Sequence, residues 1–200
     1  METQFNQLST KRRSIYNLGK NINIADKGLF SVIKQAVRNS PSAFNSQSVG
    51  TVVLLGNKSD KVWDITEKAL EKIAKDPQSF DETKEKIASF RAGYRTILFL
   101  TDTTTVHKLE NDFPPYAENF ADWAEQSIGG TQQAVWTALA ELNIGASLQH
   151  YNPLIDDEIH KEFSLPNSWK LRAEMPFGSI ESPAGSKDFL SEDKVFKFFK

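Results

Sequence analysis

Three short segments carry side chains suited to chemistry as well as to packing. Lys11-Arg12-Arg13-Ser14 sets two arginines beside a hydroxyl near the N-terminus. Arginine offers forked, charge-assisted donors and serine a neutral one, a set that suits a phosphate monoester. A basic pair this near a terminus equally suits a solvated surface. Asn39-Ser40-Pro41-Ser42-Ala43-Phe44-Asn45-Ser46-Gln47 concentrates short amide and hydroxyl side chains. Amides can donate to ring nitrogens and accept from a ring N–H along the edge of a planar heterocycle, and the same composition serves a turn and cap. Gly145-Ala146-Ser147-Leu148-Gln149-His150-Tyr151-Asn152-Pro153 opens on small residues that let a ligand approach the backbone closely. A tight strand end uses the same residues.

The composition removes other chemistries. The chain has no cysteine, which excludes disulfides, thiolate nucleophiles and cysteine-ligated metals. His107, His150 and His160 are too few and too scattered for a metal centre, and no HExxH spacing occurs. Redox chemistry would therefore need a bound cofactor. The net charge of −2, from 24 basic and 26 acidic residues, gives no general attraction to nucleic acid. The most apolar run, Thr51 to Leu55, is too short to span a bilayer, and the polar Met1 to Thr10 lacks the apolar core of a secretory signal. A cytoplasmic protein of one domain, residues 1–200, is the expectation.

Elements must hold these segments in place. Helices are predicted over Glu2 to Thr10, Lys27 to Asn39 (Leu29, Ile33, Ala36 and Val37 at helical spacing), Asp60 to Lys75 with Asp60 as N-cap, and Phe80 to Phe90 after a break at Pro77. Thr51 to Leu55 and Thr96 to Thr101 read as strands, and Asp112 to Tyr116 as an aromatic, turn-rich linker. The longest periodic segment, Glu118 to Leu142, lines up Phe120, Trp123, Ala124, Ile128, Thr131, Val135, Ala138, Leu139 and Leu142 on one face. Gly129-Gly130 interrupts it at about 1 kcal/mol per glycine relative to alanine. That implies close backbone packing or a kink there, or two helices meeting at a turn. Asn143 to Leu148 reads as turn and strand, Pro153 to Phe163 as a short helix, and Lys170 to Phe177 as a strand with Leu171, Ala173 and Met175 on one side. A Gly/Ser/Pro-rich loop, Gly178 to Ser186, precedes an aromatic tail, Val195 to Phe199. No GxGxxG or P-loop follows a predicted strand. The order of elements points to an α+β, three-layer domain.

Taken together, Arg-Arg-Ser near the N-terminus, Pro-Ser-Ala-Phe-Asn-Ser-Gln before the first strand, Ala134-Val135-Trp136-Thr137-Ala138-Leu139 in the long helix and Gly-Ala-Ser-Leu-Gln-His-Tyr-Asn-Pro after it resemble the nitroreductase family. The branch most similar is that of the fungal fatty-acid-repression protein and its bacterial nitroreductase homologues. The resemblance runs from about Lys11 to Lys187. It implies a nitroreductase-like fold, a central mostly antiparallel sheet flanked by helices, and a homodimer with FMN at the subunit interface. It implies that Arg12, Arg13 and Ser14 hold the FMN phosphate and part of the ring edge. Ser42, Asn45 and Gln47 would meet the ribityl chain and pyrimidine edge across the interface. Ser147, Leu148 and Gln149 would run beside the flavin ring, and Lys187 would be a second basic group on the phosphate, the loosest of these matches.

The activity so implied is FMN-dependent NAD(P)H oxidation coupled to reduction of nitroaromatic or similar electron-poor acceptors, by ping-pong hydride transfer through flavin N5. Quinone or flavin reduction shares every one of these residues. A regulatory protein that holds FMN and senses redox or lipid state is the alternative from another class. The region Phe113 to Trp123 is short compared with larger nitroreductases. Phe113, Tyr116, Phe120 and Trp123 either cover the acceptor pocket or form dimer core. The chain carries 14 phenylalanines and 4 tryptophans, and the tail Val195 to Phe199 would be an exposed apolar liability on a monomer. It suits an arm on a partner subunit or a helix docked on its own core.

Overall fold

The computed structural model describes residues 1–200 apart from the side chains at positions 77 and 79. At its centre lies a five-stranded sheet in the order β1 (Leu18–Gly19), β5 (Trp169–Ile180), β3 (Arg95–Asp102) and β2 (Val49–Leu55), with β4 (Gly145–Ala146) paired to β5. All these pairings are antiparallel. The central strand β3 is buried on both faces, so its apolar residues run continuously and sort by parity. Ile97 and Phe99 face helices α2 (Asp26–Asn39) and α6 (Phe120–Glu141), packing with Leu29, Ile33, Val135 and Leu139. Leu98 and Leu100 face the opposite helical layer, α3 (Asn57–Glu71), α4 (Pro77–Arg91) and α7 (Asp156–Phe163), among Val62, Trp63, Ile87, Phe90 and Ile159. The result is the α+β, three-layer arrangement expected. Thr96 supports the second layer through polar contacts, accepting from Trp63 Nε1 at 3.0 Å and sharing a 2.8 Å bond with Ser59 Oγ.

Several elements depart from the sequence expectations. Leu171 does not share a face with Met175: Phe99 pairs with Ala173 but Leu100 with Leu171, so Arg172 is an extra residue. This bulge turns Leu171 into the α3/α4/α7 layer while Met175 packs under α2 and α6. Helix α3 begins after Gly56 and ends at Glu71, so Asp60 lies in its first turn rather than capping it, and Ile73 is outside and exposed. Pro77 opens α4, the helical position where a missing N–H costs nothing. A whole helix, α5 (Thr103–Asp112), went unpredicted; Asp102 caps it by accepting from Thr104 N at 3.1 Å and from Thr105 Oγ1 at 2.7 Å. Helix α6 runs unbroken through Gly129 and Gly130. Both are exposed, and a Cβ on either would meet nothing within 4 Å, so no backbone of this chain packs against them. A short helix, α1 (Gln4–Lys11), leads the chain, and a four-residue helix, α8 (Glu192–Val195), sits in a tail whose Val195, Phe196, Phe198 and Phe199 are all exposed. That tail is not docked on its own core.

Candidate functional site

Beyond α1 the chain runs extended, and Ile15 N donates to Ala146 O at 2.9 Å while Ser14 bridges to Ala146 in parallel. This pairing sets the Arg-Arg-Ser segment beside the Gly145–Gln149 segment. After β5 the chain returns along the same edge. Glu181 N donates to Asn17 O at 3.0 Å, Asn17 Nδ2 to Ser182 Oγ at 2.9 Å, and Arg13 Nη2 to Gly185 O at 2.8 Å. The outcome is a cleft of about 530 Å³ lined by Arg12, Arg13, Ser14, Asn17, Ser182 and Lys187, among others. Three cations face it and, among the described residues, no carboxylate lines it. The Arg12 guanidinium lies 4.5 Å over the ring of Trp136, a flat shelf that fixes a planar cation. Its Nε is buried without a hydrogen-bond partner. Burial, then the neighbouring Arg13 charge, lower the Arg12 pKa from its ordinary value. A phosphate dianion would answer both causes, supplying acceptors and opposite charge.

The Ser147–Gln149 segment presents less side chain than expected. Ser147 and Gln149 are both buried, and Gln149 Nε2 donates to Ser147 Oγ at 3.0 Å. Their backbones are tied to β5, Ser147 N to Pro176 O at 3.2 Å and Gln149 N to Glu174 O at 2.8 Å. Those two side chains shape the segment from within, and Leu148 between them is half-buried.

The Ser42, Asn45 and Gln47 group lies apart. A short 3-10 turn, Ala43–Asn45, follows α2, and Phe44, Asn45 and Gln47 all adopt φ near +50°. That region is costly for side-chain-bearing residues. The loop is held by Gln47 N donating to Ser42 Oγ at 2.9 Å and by Phe44. The Phe44 ring sits 4.8 Å from Phe113, 5.3 Å from Phe120 and 6.1 Å from Trp123, centroid to centroid. Ser42 and Gln47 line a cleft of about 210 Å³ with Arg38 and Thr131. Ser42 also enters a larger one, about 490 Å³, with Phe44, Trp123, Gln126, Ser127 and Gly130. Neither includes a residue of the phosphate-type cleft, and Asn45 is exposed.

The aromatic group divides. Phe120 is 2% exposed and packs with Val106 and Ala124, so it is a floor rather than a pocket wall. Phe113 and Tyr116 are exposed above it, and Trp123 lines the larger cleft. Sequence reasoning missed three contributors. Trp136 was visible as part of a motif but not as the Arg12 shelf. Phe44 lay inside a quoted segment and was passed over for its amide neighbours. Glu174, buried on β5 and bonded to Tyr151 N, gave no signal, because one acid in an alternating strand predicts a solvent-facing position.

Comparison with known proteins bears on this arrangement. The model of the Nitroreductase family matches residues 10–179. The nitroreductase-type protein HBN1 of Saccharomyces cerevisiae is 34% identical over 187 residues, 92% of each chain. Nitroreductase CinD of Lactococcus lactis, in complex with chloramphenicol, matches with a TM-score of 0.90 at 43% identity, covering 98% of this chain and 100% of that one. A Desulfovibrio desulfuricans protein in complex with FMN has the same fold, with a TM-score of 0.71 at 18% identity and 100% coverage of both chains.

Proposed function

The chain belongs to the Nitroreductase family of oxidoreductases, and from that premise we propose that it is an FMN-dependent enzyme passing electrons from NADH or NADPH to nitroaromatic or similarly electron-poor acceptors. The observation that carries this reading is the convergence of Arg12, Arg13, Ser14 and Lys187 on one cleft, with a buried Arg12 Nε that lacks a partner. These donors fit the phosphate monoester of FMN. Bound there, FMN would supply the redox chemistry, accepting reducing equivalents from the nicotinamide and passing them to the acceptor in a second half-reaction.

The protein's part is to bind, orient and shield. Arg12 on its Trp136 shelf and Arg13 neutralise the phosphate, Ser14 adds a neutral donor, and Lys187 closes the open side. Ser147, Leu148 and Gln149 form a rigid flank for the ring. Ser42, Asn45 and Gln47 supply amide and hydroxyl groups to the ribityl chain and pyrimidine edge, where donors stabilise negative charge on the reduced ring. No side chain acts as nucleophile. Phe44 and Trp123 give the larger cleft aromatic walls suited to a flat acceptor. CinD, at 43% identity, has been captured with chloramphenicol and with 4-nitrophenol, both nitroarenes.

In the proposed state two copies form a homodimer and each flavin lies between them. Three features support this: the Ser42/Gln47 cleft shares no lining with the Arg12 cleft, Gly129 and Gly130 lie open on α6, and the aromatic tail is exposed. Beside the edge strand β2 runs an apolar groove of about 470 Å³, lined by Phe30, Ile33, Val37, Val53 and Leu55, which suits a partner's tail. Residues 1–200 act as one domain in this reading, in the cytoplasm, and no helix among the described residues is long and apolar enough to cross a membrane.

The test is an absorbance spectrum of the purified protein before and after adding NADPH, then NADH, under nitrogen. Flavin bands that bleach within seconds establish a reductase and name its donor. Bands that persist transfer the reading to an FMN-holding sensor. Absence of flavin bands from protein incubated with FMN and then freed of unbound FMN by gel filtration would overturn the site assignment.

A further inference from the structure

Glu174 is, among the described residues, a fully buried acidic side chain to which the proposed chemistry gives no role. It sits mid-β5, fully enclosed, opposite Leu98 of β3. An enclosed carboxylate needs several donors to offset the loss of water. Glu174 has one on its side chain: Tyr151 N donates to Oε2 at 3.1 Å, and Oε1 has no partner among the described residues. Among the described residues, the groups that face it offer no cation. Asp156, opening α7, is an anion, Tyr151 is a neutral phenol, and the rest of that layer, from Leu98 to Trp63 and Ile159, is apolar or neutral. Burial pushes the Glu174 carboxyl up to about 8; the Tyr151 N–H and the backbone N–H of Glu174 itself oppose this, and Asp156 adds to it.

What Glu174 holds is the flank of the site. Its backbone and that of Gln149 exchange two hydrogen bonds, at 2.8 and 3.0 Å, and its carboxyl takes Tyr151 N as a third tie. Gln149 is in turn bonded to Ser147. We propose that Glu174 is a positioning residue whose carboxyl and backbone clasp residues 149–151 to β5 and so fix the Ser147–Gln149 flank of the flavin site. The proposal rests on the reading of that segment as a flavin flank. The Tyr151 N–H and the backbone N–H of Glu174 itself favour the charged form, but they do not offset its burial, so ionisation draws solvent into the closed layer, and the strand contacts of 149–151 loosen as that layer opens.

The experiment compares wild type with Glu174→Gln, which keeps an acceptor for Tyr151 N and cannot ionise. FMN is titrated into each at pH 7 and pH 9, followed by flavin fluorescence. Wild type should bind more weakly at pH 9 relative to Glu174→Gln, by about tenfold at most, the limit if the ionised form does not bind. Amide exchange at Gln149 and Tyr151, measured without FMN, should show wild-type protection falling between the two pH values relative to the variant. Identical pH profiles in the two proteins would overturn the clasp. Failure of both to bind FMN at pH 7 would sink the flavin reading instead, and the exchange data would still decide the clasp. If Glu174→Gln does not fold by circular dichroism, wild-type exchange is referenced to β3 amides. A loss confined to 149–151 then supports the clasp, and a uniform loss or none overturns it.

Discussion

Arg12 is held where a cation is least comfortable, half-buried against Trp136 with Arg13 beside it. That cost is offset only if an anion arrives, so the pair should matter more to ligand binding than to folding. Arg12→Ala with Arg13→Ala is expected to give protein with unchanged circular dichroism that purifies with most of its flavin gone. Full yellow colour would place the phosphate elsewhere. Glu174 makes the opposite prediction, on stability. Its folded-state pKa is raised, so the folded chain keeps a proton that the unfolded chain releases above about pH 4.5. Its contribution is complete below that pH and is lost as pH rises through about 8, at up to about 1.4 kcal/mol per pH unit. Thermal melts should therefore show Glu174→Gln gaining on wild type from pH 5 to 8 and the difference flat above; a constant difference would refute it. The contrast also shows what single residues reveal in sequence. Two adjacent arginines before a serine suggest an anion from residue type alone, with a solvated surface as the alternative, whereas the meaning of Glu174 depends on what encloses it.

At the scale of elements, a repeating buried face marked the long helices, alternation marked β5, and short continuous runs of β-branched and aliphatic residues marked β2 and β3. These patterns failed where capping or a single irregularity decides the outcome. Helix α5 buries only Val106, too little to make a stripe, and starts because Asp102 accepts from Thr104 N and Thr105 Oγ1. Burial works against the Asp102 charge, but these bonds and one with Ser168 outweigh it and lower its pKa. Asp102→Ala should then cost about 1 kcal/mol in a urea titration, with the loss centred on α5; no loss would mean the cap is idle. Likewise the bulge at Arg172 reverses Leu171 without a mark in the alternation. Helix α6 kept its predicted face without a kink, and a Cβ on Gly129 or Gly130 would meet nothing within 4 Å, which leaves the expected close packing to a second copy in the proposed dimer. A side chain at Gly130 has room there and improves helix propensity. Gly130→Leu is therefore expected to leave the fold as stable or more so while weakening self-association. Sedimentation equilibrium checks this, and an unchanged dimer would move the interface off α6.

For the whole molecule, the question is whether two ligand-type surfaces with no common lining serve one flavin, as proposed. The Arg12, Arg13, Ser14 and Lys187 cleft and the Ser42–Gln47 loop are each built, and the loop tolerates three left-handed residues to present its amides. No periodicity or composition could show which of them meets which, because in the proposed homodimer the answer lies in a second chain. Mixed dimers resolve it. One subunit carries Arg12→Ala and Arg13→Ala, the other Asn45→Ala and Gln47→Ala, and the mixed species is isolated with two different affinity tags. If each flavin sits between copies, the mixed dimer holds one site with every ligand intact and one with all four removed. It should then bind one FMN per dimer, while each parent homodimer binds little. If both groups serve the same flavin from one chain, every subunit of the mixed dimer is damaged and binding stays at the parental level. Full binding by the Asn45→Ala, Gln47→Ala homodimer would instead remove that loop from the site. The stoichiometry thus tests the shared interface without depending on which acceptor the enzyme reduces.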